Sequence, residues 1–167
     1  MLGGVVNFEY APGRPVSVVR VLIVDDLDLW QSFISDRLRE QPDVRIVGIA
    51  SDGLEGVQKA EELQPDLILL DISLPKLNGL EAARQIRKLA PKSKILFVSG
   101  ESTPDIVGAA FSVGGSGYLW KMDTAAGLLT AIVVVLGGKR FVSPSLRDLH
   151  DLTEARDSDL KDEKSAL

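Results

Sequence analysis

The chain contains no cysteine and a single histidine, His150, among its 167 residues. Disulfide frameworks, thiolate metal sites and sites built from several imidazoles are thereby excluded. It also lacks a basic surplus: 19 Lys and Arg stand against 24 Asp and Glu, a formal net charge of -5, so nothing in the composition supports a grip on a phosphate backbone. A long hydrophobic run is missing too. The most apolar stretch, Leu128 to Leu136, falls far short of the roughly 20 residues that span a bilayer, so no membrane insertion is expected. The first 19 residues have neither the basic start nor the apolar run of a secretory signal. What remains is a globular composition, 45% hydrophobic and 26% charged, in a length suited to one domain of about 100–200 residues. Any chemistry must come from carboxylates, hydroxyls and lysines. More than half of the net negative charge lies in residues 144–167, which hold 7 acids and 4 bases.

Residues 1–19 carry Gly3, Gly4, Pro12, Gly13 and Pro15 without a sustained period and read as an N-terminal extension. From residue 20 to 138 short apolar runs alternate with amphipathic stretches. The runs are Val21 to Val24, Val44 to Ala50, Leu67 to Leu70, Ile95 to Val98 and Gly117 to Trp120, and the stretches lie near 28–40, 53–63, 79–89, 103–113 and 124–136. Five strands each followed by a helix predict an α/β domain, a parallel sheet with helices on both faces. Three of the runs are continuous rather than alternating, as strands buried on both faces require. Pro42, Pro65, Pro91, Gly114, Gly115 and Gly117 fall where helices must stop. Ile132 to Leu136 would make the last helix apolar on more than one side, leaving a face to be covered by the tail, a second subunit or a partner. Residues 139–167 read as an acidic C-terminal tail; Leu146, Leu149 and Leu152 recur every third position and could form a covering helix.

Open parallel sheets bind ligands beyond the carboxyl ends of their strands. Asp25 and Asp26 close the first strand, Asp71 the third and Ser99 the fourth, while Lys121 follows the fifth. Taken singly, each has an ordinary explanation: a carboxylate after a strand caps the next helix, a serine turns the chain, a lysine is solvated. Together they place three carboxylates, a hydroxyl and an ammonium on one rim. Clustered carboxylates repel unless a cation sits among them, and Mg2+ takes one or two carboxylates together with waters and phosphate oxygens. The lysine and the hydroxyl would then face a phosphoryl group, and an aspartate can accept one covalently.

The segment after the third strand reads Asp71-Ile72-Ser73-Leu74-Pro75-Lys76-Leu77-Asn78-Gly79. With Val24-Asp25-Asp26, Ser99-Gly100 and Gly117-Tyr118-Leu119-Trp120-Lys121 it resembles the receiver domains of two-component response regulators over residues 20–138. The resemblance implies a flavodoxin-like, doubly wound, five-stranded parallel sheet in the order 2-1-3-4-5. It implies phosphorylation of Asp71 by a histidine kinase or phosphotransfer protein, in a domain that is no enzyme beyond assisting its own phosphorylation and dephosphorylation. Asp26, Asp71 and the carbonyl of Ser73 would hold Mg2+, with Asp25 helping through a water. Lys121 would pair with the phosphoryl group, Ser99 would swing to bond it, and Tyr118 would move inward as Ser99 moves. The surface of the fourth helix, fifth strand and fifth helix would then change and meet a downstream protein or a second copy. Gly100 would leave the phosphoryl path open, and Ser73 and Glu101 would flank the path of the hydrolytic water. A cytoplasmic location goes with this reading.

Two departures from the pattern stand out. The Gly137 to Pro144 stretch resembles members that continue into a helix-turn-helix output domain, whereas only 23 residues, acidic in balance, follow Pro144. A stand-alone receiver without DNA binding of its own is therefore expected. Trp120 is a bulky ring beside the switching surface, suited to core packing or to a partner contact. A rival resemblance is to phosphatases of the haloacid dehalogenase type, with Asp26 as nucleophile, Asp28 as acid, Ser99 in the second motif and Lys121 as the lysine. Leu29-Trp30 and the lack of a later acidic pair depart from that pattern. A third reading is a receiver-like interaction module that is never phosphorylated.

Overall fold

The computed structural model, which describes residues 17–148, is a parallel sheet sandwiched between two helical layers. The elements run β1 (Val19–Val24), α1 (Asp28–Arg39), β2 (Val44–Ala50), α2 (Gly53–Leu63), β3 (Leu67–Leu70), α3 (Gly79–Leu89), β4 (Lys94–Ser99), α4 (Pro104–Ser112), β5 (Gly117–Trp120), a short 3-10 turn (Lys121–Asp123), α5 (Thr124–Leu136) and β6 (Phe141–Val142). The sheet has six strands in the order β2-β1-β3-β4-β5-β6, one more than the five expected. The extra strand is two residues long, too short to leave a period in the sequence, and it lies in the stretch read as tail. Gly138, at φ 80, turns the chain out of α5, and Phe141 and Val142 then pair with Gly117 and Tyr118.

Alternate strand residues feed two cores, which is why the central strands read as unbroken apolar runs. Leu22, Val24, Ile68, Leu70, Ile95, Phe97 and Tyr118 pack with α2, α3 and α4 on one face. Val21, Ile23, Leu67, Leu69, Leu96, Val98 and Leu119 pack with α1 and α5 on the other. α5 buries Leu128, Ala131, Ile132 and Val135 against the sheet, and Leu129, Val134 and Leu136 are partly covered, so the sheet accounts for most of that helix's apolar surface. Leu146 is buried, but in the core on the α2–α4 face rather than over α5. Leu149, His150 and Leu152 lie outside the described residues.

Asp52, Asn78 and Thr103 cap α2, α3 and α4 by accepting the backbone N–H three residues on. α1 starts differently: its flanking residue is Leu27 and no side chain caps it. None of the acids around its start caps the helix. No helix among the described residues is long and apolar enough to cross a membrane.

Candidate functional site

β2 lies outside β1 while β3 lies inside, so the chain's strand order reverses between β1 and β3 and the loops leaving those two strands part there. Asp25 and Asp26 stand in the first of these loops, and Asp71 opens the second. Ligand oxygens of Asp25, Asp26 and Asp71 all lie within 4.8 Å of one another. Asp25 and Asp71 are buried and Asp26 is exposed, giving the cluster a closed floor and an open side.

Lys121, at the start of the 3-10 turn after β5, reaches across the end of β4 toward the ends of β3 and β1. Its Nζ lies 2.8 Å from Asp25 Oδ2 and 3.1 Å from Asp71 Oδ2, so one ammonium serves two carboxylates. Their other oxygens are fixed by backbone: Leu27 N–H donates to Asp25 Oδ1 at 2.9 Å, and Ile72 N–H donates to Asp71 Oδ1 at 2.7 Å. Burial pushes the Asp71 carboxyl above the ordinary carboxylate range; Lys121 opposes the rise and the charge of Asp25 adds to it. Three carboxylates against one ammonium leave negative charge partly out of water. This hard-oxygen set, open on the Asp26 side, fits Mg2+. Ser73 stands two residues past Asp71 in the same loop and is exposed.

The loop after Asp71 is held close to the sheet. A Cβ on Gly79 would fall 2.0 Å from the Asp71 carbonyl oxygen and 2.7 Å from Ile72 Cα, so this position requires glycine for close approach. The left-handed backbone of the loop is carried by Lys76, at φ 65, whose ammonium bonds Asp52 at 3.1 Å.

On the other side of Lys121, Ser99 ends β4 fully buried, and its Oγ accepts the Glu101 N–H at 3.2 Å. Tyr118 is also fully buried, in the inward position, and its hydroxyl donates to the Glu101 carbonyl at 2.8 Å. Burial pushes this phenol up to about 12, against a hydrogen bond with Ser99 that lowers it. Trp120 packs against the same core, its indole N–H donating to the Gly100 carbonyl at 3.2 Å and its backbone N–H to Ser143 Oγ at 2.7 Å. Two aromatic residues of β5 thus hold the backbone of Gly100 and Glu101. A side chain at Gly100 would meet nothing within 4 Å, so that edge is open.

The fold therefore gathers Asp25, Asp26, Asp71 and Lys121 into one cluster, with Ser99 and Tyr118 each bonded to Glu101 beside it. Three contributors escaped the sequence. Gln31 donates to the Asp25 carbonyl at 2.6 Å and to Ser51 Oγ at 3.1 Å, bracing the first loop. The Trp30 ring covers Lys121, with Nζ 4.9 Å from its centroid. Ser143 supports β5 from β6. An aromatic and an amide on the first helical turn after an acidic pair were the only sequence signal for the first two.

Comparison with known proteins identifies the family to which this fold belongs. The response regulator receiver domain family matches residues 21–133. The response regulator GacA of Pseudomonas viridiflava is 34% identical over 129 residues, covering 77% of this chain and 60% of that protein. The chain spans about 60% of the length of the GacA relatives it matches and 24% of the protein-glutamate methylesterase/protein-glutamine glutaminase of Thermotoga maritima. Among solved structures, a two-component response regulator of the LuxR family from Aurantimonas sp. SI85-9A1 superposes with a TM-score of 0.76 at 30% identity, covering 84% of this chain and 99% of that one. The response regulator domain of Thermotoga maritima CheB gives 0.67 at 36%, covering 72% and 97%. With two thirds of its residues matched and the acidic cluster at the expected strand ends, the chain belongs to the response regulator receiver domain family of two-component systems.

Proposed function

We propose that this domain is the phosphoacceptor of a two-component or phosphorelay pathway, acting in the cytoplasm and phosphorylated on Asp71. The observation that carries the reading is the ammonium of Lys121 held between Asp71 and Asp25, 3.1 and 2.8 Å away, beside an acidic cluster with one exposed member. A carboxylate oxygen of Asp71 forms a bond to phosphorus while the bond from phosphorus to the donor's nitrogen or oxygen breaks, and the leaving group takes a proton. The donor is a histidine kinase or phosphotransfer protein. Asp25, Asp26, Asp71 and the Ser73 carbonyl would hold Mg2+, which when bound neutralises charge on the phosphoryl oxygens. Lys121 supplies positive charge from the opposite side, and positioning with charge neutralisation does most of the catalysis.

Once phosphorylated, Asp71 presents about two negative charges to Ser99 and Lys121. Ser99 turns from the Glu101 N–H toward the phosphoryl oxygens, and Tyr118 inward holds the β4–α4 loop in the matching position. The altered α4, β5 and α5 face then meets a downstream protein or a second copy of the chain, without DNA binding by these residues.

Incubation with Mg2+ and acetyl phosphate tests the reading. Label on Asp71 that disappears in Asp71→Asn is the expected result. Label on Asp26 with turnover of phosphate esters would instead favour a phosphatase, and no label at all would favour an interaction module.

A further inference from the structure

We propose that Trp30 is a positioning residue for Lys121, holding its ammonium against Asp25 and Asp71; the functional consequence rests on the phosphoacceptor reading above, the positioning does not. Trp30 stands in the first turn of α1, where its N–H bonds the Leu27 carbonyl at 3.0 Å, four residues past Asp26 of the aspartate cluster, to which its side chain offers no ligand atom. Its ring nevertheless lies over the ammonium of Lys121 at 4.9 Å, within the range of a cation–π contact.

The orientation of the ring is fixed from behind. Phe33, one turn on along α1, meets it edge to face at 5.7 Å and 87°, and Phe33 itself packs on the core shared by α1 and α5. A rigid line thus runs from the core through Phe33 and Trp30 to Lys121 and on to the two carboxylates. Lysine otherwise swings on a flexible four-carbon stem. With the ring on one side and Asp25 and Asp71 on the other, its side chain retains only 10% exposure. An ammonium kept out of water neutralises developing phosphoryl charge more strongly than a solvated one. The same contact biases Lys121 toward the carboxylates and so competes with a cation for them.

Trp30 is only half-buried, and its neighbours Leu27 and Leu29 are 50% and 85% exposed, so the variants at this position trim a ring at the edge of the core rather than its centre. Trp30→Leu keeps an apolar cover without the π face, and Trp30→Phe keeps the face with a smaller ring. In full-length protein with Mg2+ and acetyl phosphate, Trp30→Leu lowers the maximal rate of Asp71 labelling about 3- to 10-fold, and Trp30→Phe recovers most of it. Half-saturation by Mg2+ is unchanged or tighter in Trp30→Leu, whereas a merely structural loosening would weaken it. By NMR without any phosphodonor, the Lys121 ε-methylene protons of the wild type carry an upfield ring-current shift that is kept in part by Trp30→Phe and lost in Trp30→Leu.

Equal labelling by wild type and Trp30→Leu, or equal losses in the Leu and Phe variants, overturns the proposal. So does a wild-type Lys121 without a ring-current shift. If the wild type itself takes no label, the phosphoacceptor reading fails, and the ring-current comparison alone then decides the positioning of Lys121.

Discussion

Replacing Asp71 by asparagine makes the protein more stable at neutral pH in the absence of Mg2+. Ionised Asp71 gains about 5 kcal/mol from Lys121 at 3.1 Å with an effective dielectric of about 20. Against this stand a repulsion of at least about 3 kcal/mol from Asp25, whose ligand oxygen lies within 4.8 Å, and a burial cost of several kcal/mol for a carboxylate almost out of water. The balance is unfavourable, in agreement with a carboxyl held above its ordinary range chiefly by burial. Asparagine keeps the acceptor for the Ile72 N–H and leaves Lys121 paired with Asp25 at 2.8 Å. The expected gain is about 1–2 kcal/mol, or roughly 3–6 °C in melting temperature. The sign with pH follows from the raised value. The penalty of ionised Asp71 is complete above its folded pKa, shrinks as pH falls through that value, and is gone below the ordinary 3.8 of the unfolded chain. Thermal melts of both proteins without Mg2+ should therefore show a gap at pH 7 that closes toward pH 4. A variant that melts at or below the wild type at pH 7, or a gap that widens on acidification, would refute this account of the charge balance.

Two further outcomes follow from the same geometry. Saturating Mg2+ should raise the melting temperature, by about 2.7 kcal/mol of stability at a hundredfold excess over Kd, and Asp26→Asn should remove most of that gain while leaving both Lys121 ion pairs in place; melts across a Mg2+ titration decide it. Gly79→Ala, whose Cβ would meet the Asp71 carbonyl oxygen at 2.0 Å, should cost about 2–3 kcal/mol in urea denaturation and slow Asp71 labelling, whereas Gly100→Ala, with nothing within 4 Å, should leave stability unchanged.

The parts legible in the sequence are those in which one physical cause leaves a local mark. Val21 to Val24 and Leu67 to Leu70 read as strands because burial on two faces removes polar residues from the run, and both lie within strands at these positions. Asp25, Asp26, Asp71 and Lys121 could be listed together because parallel strands all end on one edge. β6 left no mark, since two residues carry no period and its pairing with β5 depends on where α5 delivers the chain. Gly79 was legible as a glycine in the loop after Asp71, but not its cause, which is the close approach of the Asp71 carbonyl rather than an unusual backbone angle. Trp30 was invisible as a neighbour of Lys121 because 91 residues of chain separate them. Only the packing of α1 beside the turn after β5 brings them together.

β6 also ties the residues after α5 to β5. Ser143 N–H donates to the Tyr118 carbonyl at 2.9 Å, and Ser143 Oγ accepts the Trp120 N–H at 2.7 Å. Leu146 is buried in the same core as Tyr118, and Ser145 Oγ bonds Asp123 at 2.7 Å in the turn that begins with Lys121. The residues after α5 are therefore bonded along the length of β5, from the tyrosine to the turn that carries the lysine. Moving Tyr118 outward would require the Glu101 bond to break while the backbone on either side of it stays clamped by β4 and by Ser143. Rotation of the side chain, with its bond to the β4–α4 loop, is then the cheap motion, and displacement of the strand is the costly one. On the phosphoacceptor reading proposed above, the part of the α4, β5 and α5 face left free to change is therefore the β4–α4 loop and α4, with β5 and the segment that follows α5 as its fixed frame.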